Sequence, residues 1–194
     1  MVMQDPKYSL NPVRTVGQQI SEAYTVHRKV SKAEADKKTL EMLEAVRIRD
    51  PEQVFRRYPH EVSGGMGQRI MIAMMLIPNP SLMIADEPTS ALDVTVQLQV
   101  LAILDDLVTQ RGMGLIFISH DLELVSSFCD RIIIMYRGRI METINAVDLH
   151  KSTHPYTRGL LNCLPKITEG QERLSTLVRD DAWLDADFSV SQTG

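Results

Sequence analysis

Two adjacent carboxylates, Asp86 and Glu87, stand at the end of an apolar run from Leu82 to Ala85. The run is bounded by Pro80 and Pro88 and reads as a short buried strand. Carboxylates at a strand's C-terminal end lie at the edge of an α/β sheet, where ligands bind. Asp86 suits a Mg²⁺ ion there, and Glu87 suits polarising a water molecule. Upstream, Ser63-Gly64-Gly65 opens an apolar helix. Ser63 can cap that helix, the glycines admit a ligand close to backbone N–H groups, and the helix N-terminus adds partial positive charge. The turn therefore reads as an anion site. A polar turn after Glu87 closes on Asp93. Alone, Ser-Gly-Gly is better read as a capped surface helix; the whole block in this order points to a ligand site.

Several elements must position these groups. Residues 13–60 read as helical. Ser31 with Glu34 fits a capping box before one helix, with Leu40, Leu43 and Val46/Arg47 on its apolar face. Asp50-Pro51 fits another helix start. After Asp93 a helix is expected, with Val94, Leu98, Leu101, Leu104 and Val108 on one face and Gly112 at its C-terminus. Leu115 to Ile118 reads as a second buried strand, ending at Ser119-His120-Asp121. A lone histidine after a strand is more often structural than catalytic. Two β runs follow, Arg131–Tyr136 and Arg139–Glu142, with a turn at Arg137-Gly138. Pro155 then starts a small helix carrying Tyr156, Leu160, Leu161 and Leu164. The order is helices, then β-α-β-α-β-β, then short helices, an α/β arrangement with an inserted helical subdomain.

Composition narrows the function classes. The 194 residues suggest one domain, and with 44% hydrophobic residues they can bury a core. A net charge of −4 gives no global basic field for nucleic acid. The longest apolar run, Ile70 to Ile77, falls far short of the ~20 residues that span a bilayer. No basic segment followed by an apolar stretch opens the chain, so no secretion signal is expected. Cys129 and Cys163 form no metal-spaced motif and are expected to be reduced, in a cytoplasmic protein. The many methionines of Met66–Met83 read as adaptable core filling.

The motifs resemble those of ABC transporter ATP-binding subunits. V-S-G-G-M-G-Q-R (Val62 to Arg69) is similar to the family signature, L-M-I-A-D-E to its Walker B strand, and S-A-L-D to its D-loop. Near the start, Q-D-P-x-x-S-L-N-P resembles the Q-loop, where Gln4 matches the glutamine that contacts Mg²⁺ and the attacking water. His120 resembles the switch histidine that senses the γ-phosphate. H-P-Y-T-x-x-L-L-x-x-L-P, from His154, resembles the C-terminal extension of oligopeptide, dipeptide and nickel importer ATPases. Gly67 stands where that branch usually has Arg; Gly within a helix costs up to about 1 kcal/mol relative to Ala. No G-x-x-x-x-G-K-[ST] phosphate cradle occurs, so the resemblance covers the C-terminal part of the family's domain and the chain reads as truncated.

The resemblance implies an incomplete P-loop NTPase-like ABC ATPase domain with a helical subdomain and a short C-terminal extension. Its expected segments are a Q-loop region over 1–12, a helical subdomain with the signature over 13–77, a core with closing hairpin over 78–144, the extension over 145–168 and a flexible tail over 169–194. It implies ATP hydrolysis coupled to peptide import, with ATP and Mg²⁺ as cofactors. Glu87 would be the general base and His120 would act on the γ-phosphate. Asp86 and Gln4 would serve Mg²⁺, while Ser63, Gly64, Gly65, Met66 and Asp93 would contact nucleotide held by a partner. Implied partners are a second ABC ATPase subunit, two integral membrane permease subunits and, indirectly, a periplasmic solute-binding protein, but no nucleic acid. The implied location is peripheral, on the cytoplasmic face of the inner membrane. Some relatives hold an iron–sulfur cluster in the extension; Cys163 alone does not support one. Two other readings are a non-catalytic partner or remnant that completes only a partner's ATP site, and an ABC ATPase of DNA repair or translation. The H-P-Y-T extension disfavours the latter.

Overall fold

Side-chain caps set most helix starts in the computed structural model, which describes residues 9–26, 28–90 and 92–164. The chain divides into two units, Met1–Ile118 and Ser119–Gly194. Gln4 and the 169–194 tail lie outside the described residues.

In the first unit, α1 (Val16–Thr25) begins with a reciprocal capping box. The Thr15 hydroxyl accepts from the Gln18 N–H at 3.3 Å, and the Gln18 side chain accepts from the Thr15 N–H at 3.0 Å. Ser31 caps α2 (Lys32–Ala45) as expected, accepting from the Glu34 N–H at 3.2 Å. Helix α3 (Pro51–Phe55) starts at its proline, but Asp50 before it has φ 51° and makes no side-chain cap bond. Helix α4 (Gly64–Leu76) follows a 3₁₀ turn at Pro59–Glu61 and is apolar on nearly every side. Its Ile70, Met71, Ile72, Ala73 and Leu76 are fully buried, which makes it the centre of this unit's core. Strand β1 (Leu82–Asp86) runs through helix α5 (Val94–Arg111) to strand β2 (Gly114–Ile118). The strands pair in parallel, from Leu82 opposite Gly114 to Asp86 opposite Ile118. A parallel pair needs such a crossover, and α5 supplies it. Gly112 ends α5 with φ 57°, as expected of a left-handed cap.

Three sequence expectations are corrected here. The strands are not buried throughout: only Met83 and Ala85 of β1 are buried, and Leu82, Ile116 and Ile118 are exposed. The α2 core face is Ala35, Thr39, Met42 and Leu43, with Val46 just beyond, whereas Leu40 is half-buried and Arg47 exposed. On α5 the buried set is Val100, Leu101, Ile103, Leu104 and Leu107, while Val94 and Leu98 face outward at 73% and 61% exposure. Burial in α5 begins only in its second turn, because its first turns flank the site described below.

The second unit opens with α6 (Leu122–Phe128), capped by Asp121, whose Oδ1 accepts from the Leu124 N–H at 3.0 Å. Strands β3 (Arg131–Tyr136) and β4 (Arg139–Asn145) form the expected antiparallel hairpin, with β4 extending past Glu142. Arg137 and Gly138 have φ 47° and 78°, the pair of left-handed residues a two-residue hairpin turn requires. A 3₁₀ segment, Ala146–Lys151, leads to α7 (Pro155–Asn162), which packs on β4. The Tyr136 and Tyr156 rings meet with centroids 4.9 Å apart. No helix among the described residues is long and apolar enough to cross a membrane.

His154 caps α7 through Nδ1, which accepts from the Tyr156 N–H at 3.0 Å, and the side chain is buried. Burial pushes its pKa below the ordinary value, against a smaller opposing pull from Glu142. A protonated ring cannot accept at Nδ1. Because the folded pKa is the lower one, the unfolded chain binds more protons just below the ordinary histidine range, and stability falls as pH falls through that window. Thermal melts from pH 7.5 to 5.5 are expected to show this slope, and His154→Asn, which keeps a capping oxygen, is expected to flatten it.

Candidate functional site

Two helix N-termini meet in the first unit. Ser63 and Asp93 have extended backbones and cap α4 and α5 respectively. Ser63 Oγ accepts from the Met66 N–H at 3.4 Å, and Asp93 Oδ1 accepts from the Val96 N–H at 3.0 Å. Gly65 and Val96 hold the two first turns together. A Cβ built on Gly65 would lie 2.5 Å from Val96 Cγ1, so any larger residue would require Val96 or the helices to shift. Gly64 differs, since a Cβ there would meet nothing within 4 Å. One glycine is required for close packing between helices, and the other leaves an open face. The N–H groups of Gly64 and Gly65 belong to a first turn, where helix geometry provides no internal partner. An exposed, capped N-terminus with a bare Gly64 face fits an approaching phosphate in shape and polarity. Met66 is half-buried in this turn, and Gly67 is buried, with its N–H bonded to the Ser63 carbonyl at 2.8 Å. Gly67 therefore sits in regular helix despite its low propensity.

The carboxylates occupy the end of β1. Asp86 is the last strand residue and half-buried. Glu87 turns the chain sharply, with φ 46°, a conformation that costs a non-glycine residue roughly 1 kcal/mol or more. Its surroundings hold it there. The Glu87 N–H donates to the Ile118 carbonyl at 2.9 Å, extending the β1–β2 ladder by one step. Its carbonyl accepts from the Ser90 N–H at 3.3 Å and the Ser90 hydroxyl at 3.2 Å. Pro88 and Thr89 are buried beneath the turn. Strand pairing thus fixes the point where Asp86 ends and Glu87 is redirected. Among the described residues, no group of three or more His, Cys, Asp or Glu side chains could hold a metal alone. Mg²⁺ commonly binds one or two carboxylates together with nucleotide phosphates, and Asp86 fits that mode.

His120 lies in the second unit, exposed, in the bend between Ser119 and Asp121. Asp121 N–H donates to Ser119 Oγ at 3.1 Å, which tightens that bend. The structure therefore gathers Ser63, Gly64, Gly65, Met66, Asp86, Glu87 and Asp93 into one unit and assigns His120 to the other. Sequence reading missed Val96, the contact that explains Gly65, and the left-handed backbone of Glu87. No local pattern signals either, because both arise from long-range packing.

A family model described as ABC transporter matches residues 1–90. The chain is 54% identical over 173 residues to the probable peptide ABC transporter ATP-binding protein y4tR of Sinorhizobium fredii, covering 89% of this chain and 52% of that protein. The resemblance to ABC transporter ATP-binding proteins thus runs through nearly the whole chain. The chain is also 46% identical over 178 residues to the oligopeptide transport ATP-binding protein OppD of Escherichia coli, covering 91% of this chain and 53% of that one. It spans about half the length of the curated relatives it matches. Among solved structures it resembles cbiO1 from Clostridium perfringens, part of the ABC transporter complex cbiONQ. The TM-score is 0.68 at 27% identity, over 82% of this chain and 62% of that one. It also resembles the ATP-binding cassette MJ0796 in a dimeric post-hydrolysis state bound to ADP and Pi. There the TM-score is 0.64 at 25% identity, over 75% of this chain and 62% of that one. The fold is the P-loop NTPase fold of ABC ATPase cassettes.

Gly65 carries a direct prediction. Gly65→Ala is expected to lower the thermal midpoint through the Val96 clash, Val96→Ala to relieve most of that loss in the double variant, and Gly64→Ala, which gains helix propensity without a clash, to keep or raise the midpoint. Differential scanning calorimetry of the four variants checks this.

Proposed function

We propose that this chain is an ATP-binding, energy-coupling subunit of an ABC importer for peptides. The printed names of its relatives support the peptide class, and the paired N-termini of α4 and α5 carry the assignment of roles. Ser63, Gly64, Gly65 and Met66 present backbone donors to the phosphates of an ATP held by a partner subunit. Asp93 caps the neighbouring helix and keeps that rim in place. On a separate nucleotide, one held by the complete subunit's own phosphate cradle, Asp86 and Gln4 would hold Mg²⁺, Glu87 would take a proton from the attacking water and His120 would act on the γ-phosphate. Bound Mg²⁺ would supply charge neutralisation on the phosphate oxygens. The chain's own groups position and polarise, which is most of the catalysis in phosphoryl transfer. The partners are a second ATPase subunit and membrane permease subunits, and the working location is peripheral, on the cytoplasmic face of the membrane.

One observation favours a second reading for these 194 residues taken by themselves. They contain no G-x-x-x-x-G-K-[ST] sequence, the loop whose N–H groups and lysine cradle phosphates. Alone they would complete a partner's ATP site rather than hold ATP. In nucleotide titration the isolated chain is expected to show no micromolar ATP binding. Mixed with a complete relative kept too dilute to pair with itself, it is expected to raise ATP hydrolysis by roughly tenfold or more. Gly64→Asp, which places a negative charge on the open face without a clash, is expected to abolish that stimulation at an unchanged thermal midpoint. Micromolar affinity of the chain alone would remove the partner-site reading, and absence of stimulation would remove the assignment of the rim to phosphate binding.

A further inference from the structure

Arg69 lies on α4 one and a half turns past the Ser63–Gly65 turn, and its guanidinium reaches two other elements. Nη1 donates to the Arg47 carbonyl at 3.1 Å, just past the end of α2. Nη2 donates to Gln99 Oε1 at 2.5 Å, in the second turn of α5. Arg47 is itself fixed: its backbone has φ 57°, and its side chain pairs with Asp106 of α5 at 2.5 Å. One planar group thus links three helices, and the link lies just behind the two capped N-termini. Burial is the main cause of a lowered Arg69 pKa, with repulsion from Arg47 and Arg49 adding to it. Two cations lie near Arg69 and, among the described residues, no carboxylate is bonded to it, so simple ion pairing does not account for its place. Planar donors in a fixed fork do, because they set an angle between two acceptors.

We propose that Arg69 is a positioning residue for the phosphate-binding rim: bridging the Arg47 carbonyl and Gln99, it fixes the Ser63–Gly65 turn in register with Asp93. The role in catalysis rests on the reading above; the mechanical role does not. Gly65 against Val96 sets how close the two first turns come. That contact is apolar and acts at one point, so by itself it does not set the rotation of α4 against α5. The Arg69–Gln99 bond lies farther along both helices and removes that freedom. With both in place, the donors of the Gly64–Gly65 turn are aimed before nucleotide arrives, and no ordering cost falls on binding.

The test compares Arg69→Ala, Arg69→Lys, Gln99→Leu and the Arg69→Ala/Gln99→Leu double variant in the full 194-residue chain. Amide hydrogen exchange at the bonded first-turn amides, Met66 and Gly67 of α4 and Val96 and Gln97 of α5, is expected to quicken about threefold or more in Arg69→Ala, with exchange in the α4 core over 70–73 unchanged. Arg69→Lys, which cannot hold both acceptors, is expected to recover only part of the protection. Gln99→Leu is expected to give a smaller effect of the same kind, and the double variant to be no worse than Arg69→Ala. In the stimulation assay with a complete relative, Arg69→Ala is expected to raise the KM for ATP roughly tenfold with kcat little changed. Unaltered exchange at Met66 and Gly67 in both Arg69→Ala and Gln99→Leu would overturn the proposal, as would full rescue by lysine. A wild-type chain that stimulates nothing would remove the functional reading and leave the exchange data to decide the clamp.

Discussion

The contact between Gly65 and Val96 is the constraint on which the candidate site depends. The two helix N-termini lie so close that a Cβ on Gly65 would meet the Val96 side chain at 2.5 Å, so this position needs a residue without a side chain or a shift of its neighbour. Ser63 and Asp93 each satisfy one donor of the turn they cap. The rest of the rim's polarity then remains directed outward, where an anion benefits from two aligned helix ends. The buried α4 anchors this rim to the core of the unit.

A second constraint governs the carboxylates. The β1–β2 ladder continues one bond beyond the last strand pair, to Glu87, and that bond holds a left-handed glutamate. Strain at this residue is tolerated because pairing on one side and Ser90 on the other over-determine it. The result places Asp86 and Glu87 at one strand end with different backbone directions, which suits two neighbouring carboxylates to different tasks. This unit therefore combines two features of opposite character, a donor-rich rim and an acidic corner.

Much of this was legible in the sequence, for local reasons. Ser31, Pro51, Gly112 and the Arg137-Gly138 turn act through their own backbone preferences, and each element begins or ends where they predict. The motif block identified the family because its residue types must occur in order along one chain. What stayed hidden depends on distant partners. Among the described residues of this unit the sheet pairs two strands and leaves Leu82, Ile116 and Ile118 exposed, which an apolar pattern cannot reveal. Val94 and Leu98 fit a helical stripe by spacing, yet the first turns of α5 lie at the rim, outside the core. Arg69 is one residue of a signature motif in sequence, and its links to Arg47 and Gln99 appear only in three dimensions.

The central claim is that Ser63–Met66 contacts the phosphates of a nucleotide held by another subunit. The most direct measurement is photo-crosslinking with an ATP analogue carrying its reactive group on the γ-phosphate, followed by peptide mapping. The chain mixed with a complete ABC ATPase subunit is expected to be labelled within the 61–69 peptide, and the chain alone is expected to stay unlabelled. Labelling elsewhere in the mixture, or equal labelling of this peptide without a partner, would contradict the account.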